Sequence, residues 1–146
     1  MTKFKSVLIA LVLLVSFSSC SKDDDLVISE ADLPAAAKSY LQTHFQLTTI
    51  NKVVKDTDDL GVEYEVYLAN GTYLEFNGEG AIDQIKSKTK LPDSVIPASL
   101  LSYVASNYPD LFIIEWELDT ADQEIKLSNG VELKFDLQGN FLRIDR

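Results

Sequence analysis

The sequence predicts an α+β domain: two tandem copies of one helix followed by four antiparallel strands, joined into a single sheet of about eight strands with both helices on one face. Three observations predict it. Residues 65–76, EVYLANGTYLEF, return as residues 124–135, EIKLSNGVELKF. Each copy sets Asn-Gly between alternating apolar residues, the strongest short-range hairpin signal. Each copy also follows a stretch whose apolar residues recur at helical spacing, as expected of an amphipathic helix.

The repeat extends beyond the hairpin. Pro34, Ser39 and Tyr40 correspond to Pro97, Ser102 and Tyr103, and Ile50 and Asp56 to Ile113 and Asp119. Leu74, Phe76, Gly80 and Ile85 correspond to Leu133, Phe135, Gly139 and Ile144. The offset falls from 63 to 59 between Asp56 and Glu65, so the first copy carries extra loop residues at 57–62. Self-similarity at this period means two copies of one supersecondary unit. A unit this small rarely holds a core alone. One fused domain is therefore expected over 30–146, with repeat one at 30–90 and repeat two at 91–146.

Burial sets the hairpin register. A two-residue turn at Asn70-Gly71 would leave Leu74 and Phe76 opposite Tyr67 and Glu65, and would set Ile125 against Lys134. A three-residue loop puts Leu68 beside Thr72, Val66 beside Leu74 and Tyr64 beside Phe76. In the second copy it puts Leu127 beside Val131 and Ile125 beside Leu133. One face is then apolar in both copies, and a one-residue slip would turn every side chain to the other face. Gly71 and Gly130 become the left-handed residues that close the loop.

The remaining elements follow in order. Asp32 reads as the cap of a first helix opened by Leu33 and Pro34, with Leu33, Ala37, Tyr40, Leu41 and Phe45 on one stripe. Strands are expected at 50–56, 62–68, 72–77 and 81–87. Residues 86–93 form a linker. Ser94 reads as the cap of a second helix with Ile96, Leu100, Val104 and Tyr108 inward, stopped at Asn107-Tyr108-Pro109. Strands then follow at 111–119, 123–127, 131–136 and 140–145. Phe112, Ile114, Trp116 and Leu118 alternate with Ile113, Glu115, Glu117 and Asp119. The last strand of each copy spaces its apolar residues by three (Ile82 and Ile85, Phe141 and Ile144), which predicts a bulge or burial on both faces.

The first residues read as an address. Lys3 and Lys5 precede an apolar run at 7–15, then Phe17-Ser18-Ser19-Cys20. This is the order of a secretory leader, and the run is too short to span a bilayer. Residues 1–19 are therefore expected to be a lipoprotein signal peptide, with Cys20, the single cysteine, carrying the lipid. Residues 20–29 are expected to be an acidic linker. Ser21-Lys22-Asp23-Asp24-Asp25 resembles the acidic export tag of Bacteroidota surface lipoproteins. The resemblance implies anchoring in the outer membrane facing the cell exterior, with a periplasmic orientation as the alternative.

The chain of 146 residues has 13 basic and 23 acidic residues, a net charge of −10. Loss of Lys3 and Lys5 with the leader leaves eleven basic residues and a net of −12. That balance argues against nucleic acid, which needs clustered Lys and Arg.

Two copies of Leu-Pro or Ile-Pro followed by Tyr (Leu33-Pro34 with Tyr40, Ile96-Pro97 with Tyr103) accompany two hairpins. These are Val66-x-Leu68-x-Asn70-Gly71 and Ile125-x-Leu127-x-Asn129-Gly130, followed by Phe76 with Gly80 and Phe135 with Gly139. Together they resemble the PepSY-like, β-lactamase-inhibitor-protein-like lipoproteins of Bacteroidota over nearly all of the mature chain. The resemblance implies the β-lactamase-inhibitor fold with its repeats joined in one sheet. No inhibitory loop carries over residue by residue.

Catalytic chemistry has little to stand on. His44 is the single histidine and falls in the last turn of the first helix, where it suits the helix dipole. Without a second histidine or a thiol base partner, triad arrangements lack their parts, and no enzyme is expected. Asp56-Thr57-Asp58-Asp59-Leu60-Gly61 has the opening of a calcium loop, but Leu60 and Tyr67 stand where an EF-hand needs ligands. It reads as a polar turn, and neither metal nor cofactor is expected.

The sheet face opposite the helices is the expected site. With Val66, Leu68, Leu74 and Phe76 inward, Glu65, Tyr67, Tyr73 and Glu75 face away, and Glu124, Lys126, Glu132 and Lys134 do so in the second copy. Tyr offers contact area and a polar tip at low entropy cost. Trp116 is core if it shares the face of Ile114, and a partner anchor if the strand is inverted. The expected function is a lipid-anchored module that binds a protein or peptide through this face, in the manner of an inhibitor. The alternative is a structural lipoprotein of an envelope complex without an independent ligand.

Overall fold

The computed structural model describes residues 25–145. The leader, Cys20 and the first part of the acidic linker lie outside the described residues. The elements run β1 (Leu26–Ile28), a 3-10 turn (Glu30–Asp32), α1 (Ala35–His44), β2 (Ile50–Thr57), β3 (Val62–Leu68), β4 (Tyr73–Asn77) and β5 (Ile82–Lys86). A second 3-10 turn (Asp93–Val95), α2 (Ala98–Asn107), β6 (Ile113–Leu118), β7 (Asp122–Leu127), β8 (Glu132–Asp136) and β9 (Phe141–Ile144) complete them. The nine strands form one antiparallel sheet in sequence order. The ninth strand is β1, which falls in the stretch read as linker. Three apolar residues are too few to show a period, yet the edge of β2 offers unpaired N–H and C=O groups that a short segment satisfies by pairing.

Both hairpins have the register that burial requires. Val66 pairs with Leu74 and Tyr64 with Phe76, and Ile125 pairs with Leu133. The Leu68 and Leu127 N–H groups donate to the Thr72 and Val131 carbonyls at 2.9 and 2.8 Å. Gly71 and Gly130 have φ of 83° and 90°. Bulges interrupt the ladder between Glu75 and Phe76 and between Lys134 and Phe135, which accounts for the three-residue spacing in β5 and β9.

Cross-strand pairing carries one apolar row through the whole sheet: Ile28, Val53, Val66, Leu74, Ile85, Trp116, Ile125, Leu133 and Ile144. Both helices pack on this side. Ala37, Leu41, Leu100 and Val104 share one buried cluster with the strand residues. Tyr40 meets the edge of Phe76 at 5.7 Å, and Tyr103 meets Phe135 at 5.2 Å, so each repeat builds the same aromatic contact. Each fully buried Val, Leu, Ile or Phe contributes about 1.5–3 kcal/mol.

The helix starts differ from expectation. Asp32 lies in the first 3-10 turn, which Ser29 caps by accepting from the Ala31 N–H at 3.3 Å. Pro34 and Pro97 occupy the N-cap positions, and neither helix has a side-chain cap. The residue before a proline is driven into extended backbone, and Leu33 and Ile96 have ψ of 148° and 134°. That extended step carries Asp32 and Ser94 out of capping register.

Candidate functional site

On the face away from the helices, the row next to the apolar one reads Val27, Val54, Glu65, Glu75, Gln84, Glu117, Glu124, Lys134 and Arg143, one residue from each strand. A flanking row reads Lys52, Tyr67, Tyr73, Lys86, Glu115, Lys126 and Glu132. Four of the five expected face residues, Glu65, Tyr67, Tyr73 and Glu75, therefore stand together on β3 and β4.

Trp116 does not join them. It is 6% exposed in the core, and its Nε1–H donates to Gln123 Oε1 at 3.2 Å. Gln123 Nε2–H in turn donates to the Asp136 carbonyl at 3.0 Å. A bulge between Ile113 and Glu115 breaks the alternation read from the sequence. Ile113 and Trp116 face inward, while Phe112 and Leu118 are 39% and 38% exposed.

Hydrogen bonding locks the four residues into one constellation. The Tyr67 hydroxyl donates to Glu65 Oε2 at 2.7 Å. The Tyr73 hydroxyl donates to Glu75 Oε2 at 2.5 Å and lies 3.2 Å from Glu65 Oε1. The two rings meet edge to face at 5.3 Å, and Lys52 Nζ sits 5.0 Å above the Tyr67 ring. The hydrogen bond to Glu65 pushes the Tyr67 hydroxyl up to about 12. Burial, and then the bond to Glu75, push that of Tyr73 further up. Both phenols are therefore neutral donors at physiological pH.

Two further carboxylates belong to this face. Glu63 pairs across from Asn77. Burial, then the charges of Glu75, Asp58, Asp56 and Asp83, raise its carboxyl above the usual range. Asp83 is the extra residue of the β5 bulge, and burial and then Glu75 raise its carboxyl while a hydrogen bond with Asn77 pulls it back. A bulge could be inferred from the spacing in β5, but not the side to which it would turn Asp83.

The two repeats share a backbone and differ in charge. In repeat two, Lys134 lies 3.4, 3.7 and 3.8 Å from the carboxylates of Asp122, Glu124 and Asp145. Lys126 lies 2.8 Å from Glu132 and 3.9 Å from Glu115. The positions of Lys134 and Lys126 are held in repeat one by Glu75 and Tyr67. Among the described residues, no ion pair within 4 Å involves Glu63, Glu65, Glu75 or Asp83. Repeat two gathers its carboxylates around two lysines, whereas in repeat one Glu63, Glu65, Glu75 and Asp83 stand with two tyrosines and outside any such ion pair.

The other candidates hold local roles. Asp58 Oδ1 accepts the Leu60 and Gly61 N–H groups at 2.7 and 3.0 Å, so this carboxylate closes the β2–β3 turn. Among the described residues there is no group of three or more His, Cys, Asp or Glu poised to hold a metal ion. His44 Nδ1 lies 2.9 Å from Ser94 Oγ, a contact that ties the end of α1 to the start of repeat two.

Comparison with known proteins gives this architecture a context. A family model described as "Putative beta-lactamase-inhibitor-like, PepSY-like" matches residues 62–143. Similar solved structures include the following three. A "putative calcium-regulated periplasmic protein" from Bacteroides thetaiotaomicron is 37% identical with a TM-score of 0.81, over 84% of this chain and 98% of its own. A "putative periplasmic protein from DUF2874 family" from Bacteroides vulgatus is 38% identical with a TM-score of 0.81, over 86% and 99%. A second B. vulgatus "putative periplasmic protein of unknown function" is 30% identical with a TM-score of 0.80, over 84% and 99%. No match was found among curated proteins.

Proposed function

The chain belongs to the PepSY-like, β-lactamase-inhibitor-like family, and from that premise we propose that it is a lipid-anchored envelope protein that binds another protein through the open sheet face of repeat one. The observation that carries the reading is the charge difference between the repeats on this face. Lys134 and Lys126 give the carboxylates of repeat two cationic partners from within the repeat. Glu75 and Tyr67 stand in their places in repeat one, so the carboxylates there remain available to the cations of a partner. The partner that fits is a protein segment bearing Lys or Arg, whose cations meet Glu63, Glu65, Glu75 and Asp83 while its apolar parts cover the Tyr67 and Tyr73 rings. The descriptions of the relatives as periplasmic support an envelope location. The Cys20 motif supports anchoring by lipid, and the acidic run after it supports an outward orientation. Calcium regulation is printed for one relative, and nothing in the described residues of this chain carries it over.

Affinity capture from envelope extracts tests the reading, with residues 22–146 as bait and the Tyr67→Ala/Tyr73→Ala variant in parallel. The expected result is a partner that is retained by the wild type, lost with the variant at unchanged thermal stability, and released by salt. Equal retention by both baits would remove the open face as the site. Recovery of the bait's own sequence would instead favour the reading as a structural component that pairs with itself.

A further inference from the structure

The junction between the repeats forms a second, separate concavity. The end of α1 and the loop after it, the β3–β4 hairpin and the linker before Pro92 enclose a cleft of about 440 Å³. Its polar lining includes Thr43, His44, Thr48, Asn70, Thr72, Thr89 and Lys90. In a chain of net charge −10, no Asp or Glu lines it.

The lining is rich in donors. Asn70 Oδ1 accepts the Thr72 N–H at 3.0 Å, which leaves the Asn70 amide hydrogens for another acceptor. Thr72 is 3% exposed, and its hydroxyl has only Ser87 Oγ at 3.5 Å, the outer limit of a hydrogen bond. The matching residue of repeat two is Val131, so the fold does not require a hydroxyl here. A buried hydroxyl with so weak a partner costs free energy unless something else bonds it. Lys90 stands at the cleft with its side chain 58% exposed, paired to an equally accessible Asp93 at 2.9 Å.

We propose that this cleft binds a small organic carboxylate. Its carboxylate accepts from the Thr72 hydroxyl and the Asn70 amide and meets the Lys90 ammonium at the mouth. No carboxylate lines the cleft itself, and Asp93 at the mouth is solvent-exposed, so the ligand carboxylate competes with it for Lys90. The site lies apart from the β3–β5 face, so it stands or falls independently of the protein-binding reading.

The test is a titration of ¹⁵N-labelled residues 22–146. The crystallised relatives carry this fold over 98–99% of their own chains, so the domain stands without its leader. The probes are galacturonate and N-acetylalanine as carboxylates, galactose as the uncharged twin of the first, and inorganic phosphate. The expected result is saturable shifts of the Asn70, Thr72, Thr89 and Lys90 amides with both carboxylates and none with galactose. Thr72→Val and Lys90→Gln should each weaken binding about tenfold, the loss of one hydrogen bond to a charged group. Thr72→Val installs the residue that repeat two carries, and the exposed Lys90 makes its variant safe for folding, so lost binding is not lost structure. No saturable shift at the cleft, a response to galactose equal to that of galacturonate, binding of phosphate alone, or unchanged affinity in both variants would overturn the proposal.

Discussion

Replacing Glu75 with Lys, the residue that repeat two carries at this position, should stabilise the fold while abolishing the cation-seeking character of the face. In repeat two, Lys134 has three carboxylates within 4 Å, on side chains 24–38% exposed. Pairs so exposed contribute about 0.2–1 kcal/mol each. At the matching places a lysine at position 75 would meet Glu63 and Glu65 as attractions and Lys86 as a repulsion. It would also remove the carboxylate whose charge raises both Glu63 and Asp83. Against this stands the Tyr73 bond to Glu75, whose loss is softened because Glu65 Oε1 lies 3.2 Å from the same hydroxyl. The balance is a gain of about 1 kcal/mol, or about 4 °C in Tm for a domain of this size. Urea unfolding followed by circular dichroism, at low and at high salt, measures it. The gain should shrink at high salt, because screening weakens exposed pairs. Lys134→Glu should lower stability, more at low salt than at high, since it strips three carboxylates of their shared cation. Lower stability of Glu75→Lys, or a gain indifferent to salt, would refute the claim that lysine-centred ion pairs are what separate the two halves of the face.

Other outcomes follow from the same structure. Lowering the pH from about 7 to about 5 should raise Tm, because Glu63, Asp83 and Glu124 have raised pKa values and the folded state takes up protons before the unfolded one does. Asp136, whose carboxyl is held low by its bonds from Asn140, acts in the opposite direction. Its contribution is present above the ordinary carboxylate range and lost as pH falls through its own lowered value, so stability should turn down again in stronger acid. Phe76→Ala and Phe135→Ala should each cost about 3–5 kcal/mol in chemical denaturation, since both rings are fully buried. Gly80→Ala should cost more than Gly71→Ala although both have positive φ. A Cβ at Gly80 would come within 2.7 Å of Pro34 Cβ and 2.9 Å of the Ala37 nitrogen, whereas one at Gly71 meets nothing within 4 Å. The single tryptophan should emit in the blue and resist quenching by iodide in the native protein, and ready quenching would contradict the burial of Trp116.

The repeat was legible because both copies obey the same burial rule. Val66 against Leu74 and Ile125 against Leu133 leave one apolar face only in one register, and Asn70-Gly71 and Asn129-Gly130 supply the turn. The candidate residues on β3 and β4 were legible for the same reason, since alternation places Glu65, Tyr67, Tyr73 and Glu75 opposite the core. Edges and bulges were harder. Leu26–Ile28 has no period of its own and becomes a strand only because β2 has an open edge. The bulge at Ile114 moves Ile113 to the side of Trp116, and alternation alone places it on the other. Asp32 and Ser94 have the chemistry of caps, but the prolines that follow extend the chain past the point where they could serve.

By itself, then, the sequence determined the two helix-and-strand repeats, the hairpin registers and the face that each regular strand buries, because local periodicity and turn chemistry settle those choices between neighbours in the chain. Tertiary structure decided which charged side chains come within reach of one another. The alignment of β3–β5 and β7–β9 in one sheet sets Lys134 among three carboxylates and Glu75 among its like. Charge acts through space over several ångströms, so which carboxylates share Lys134, and which gather near Glu75, is settled only once the three strands of each set lie side by side.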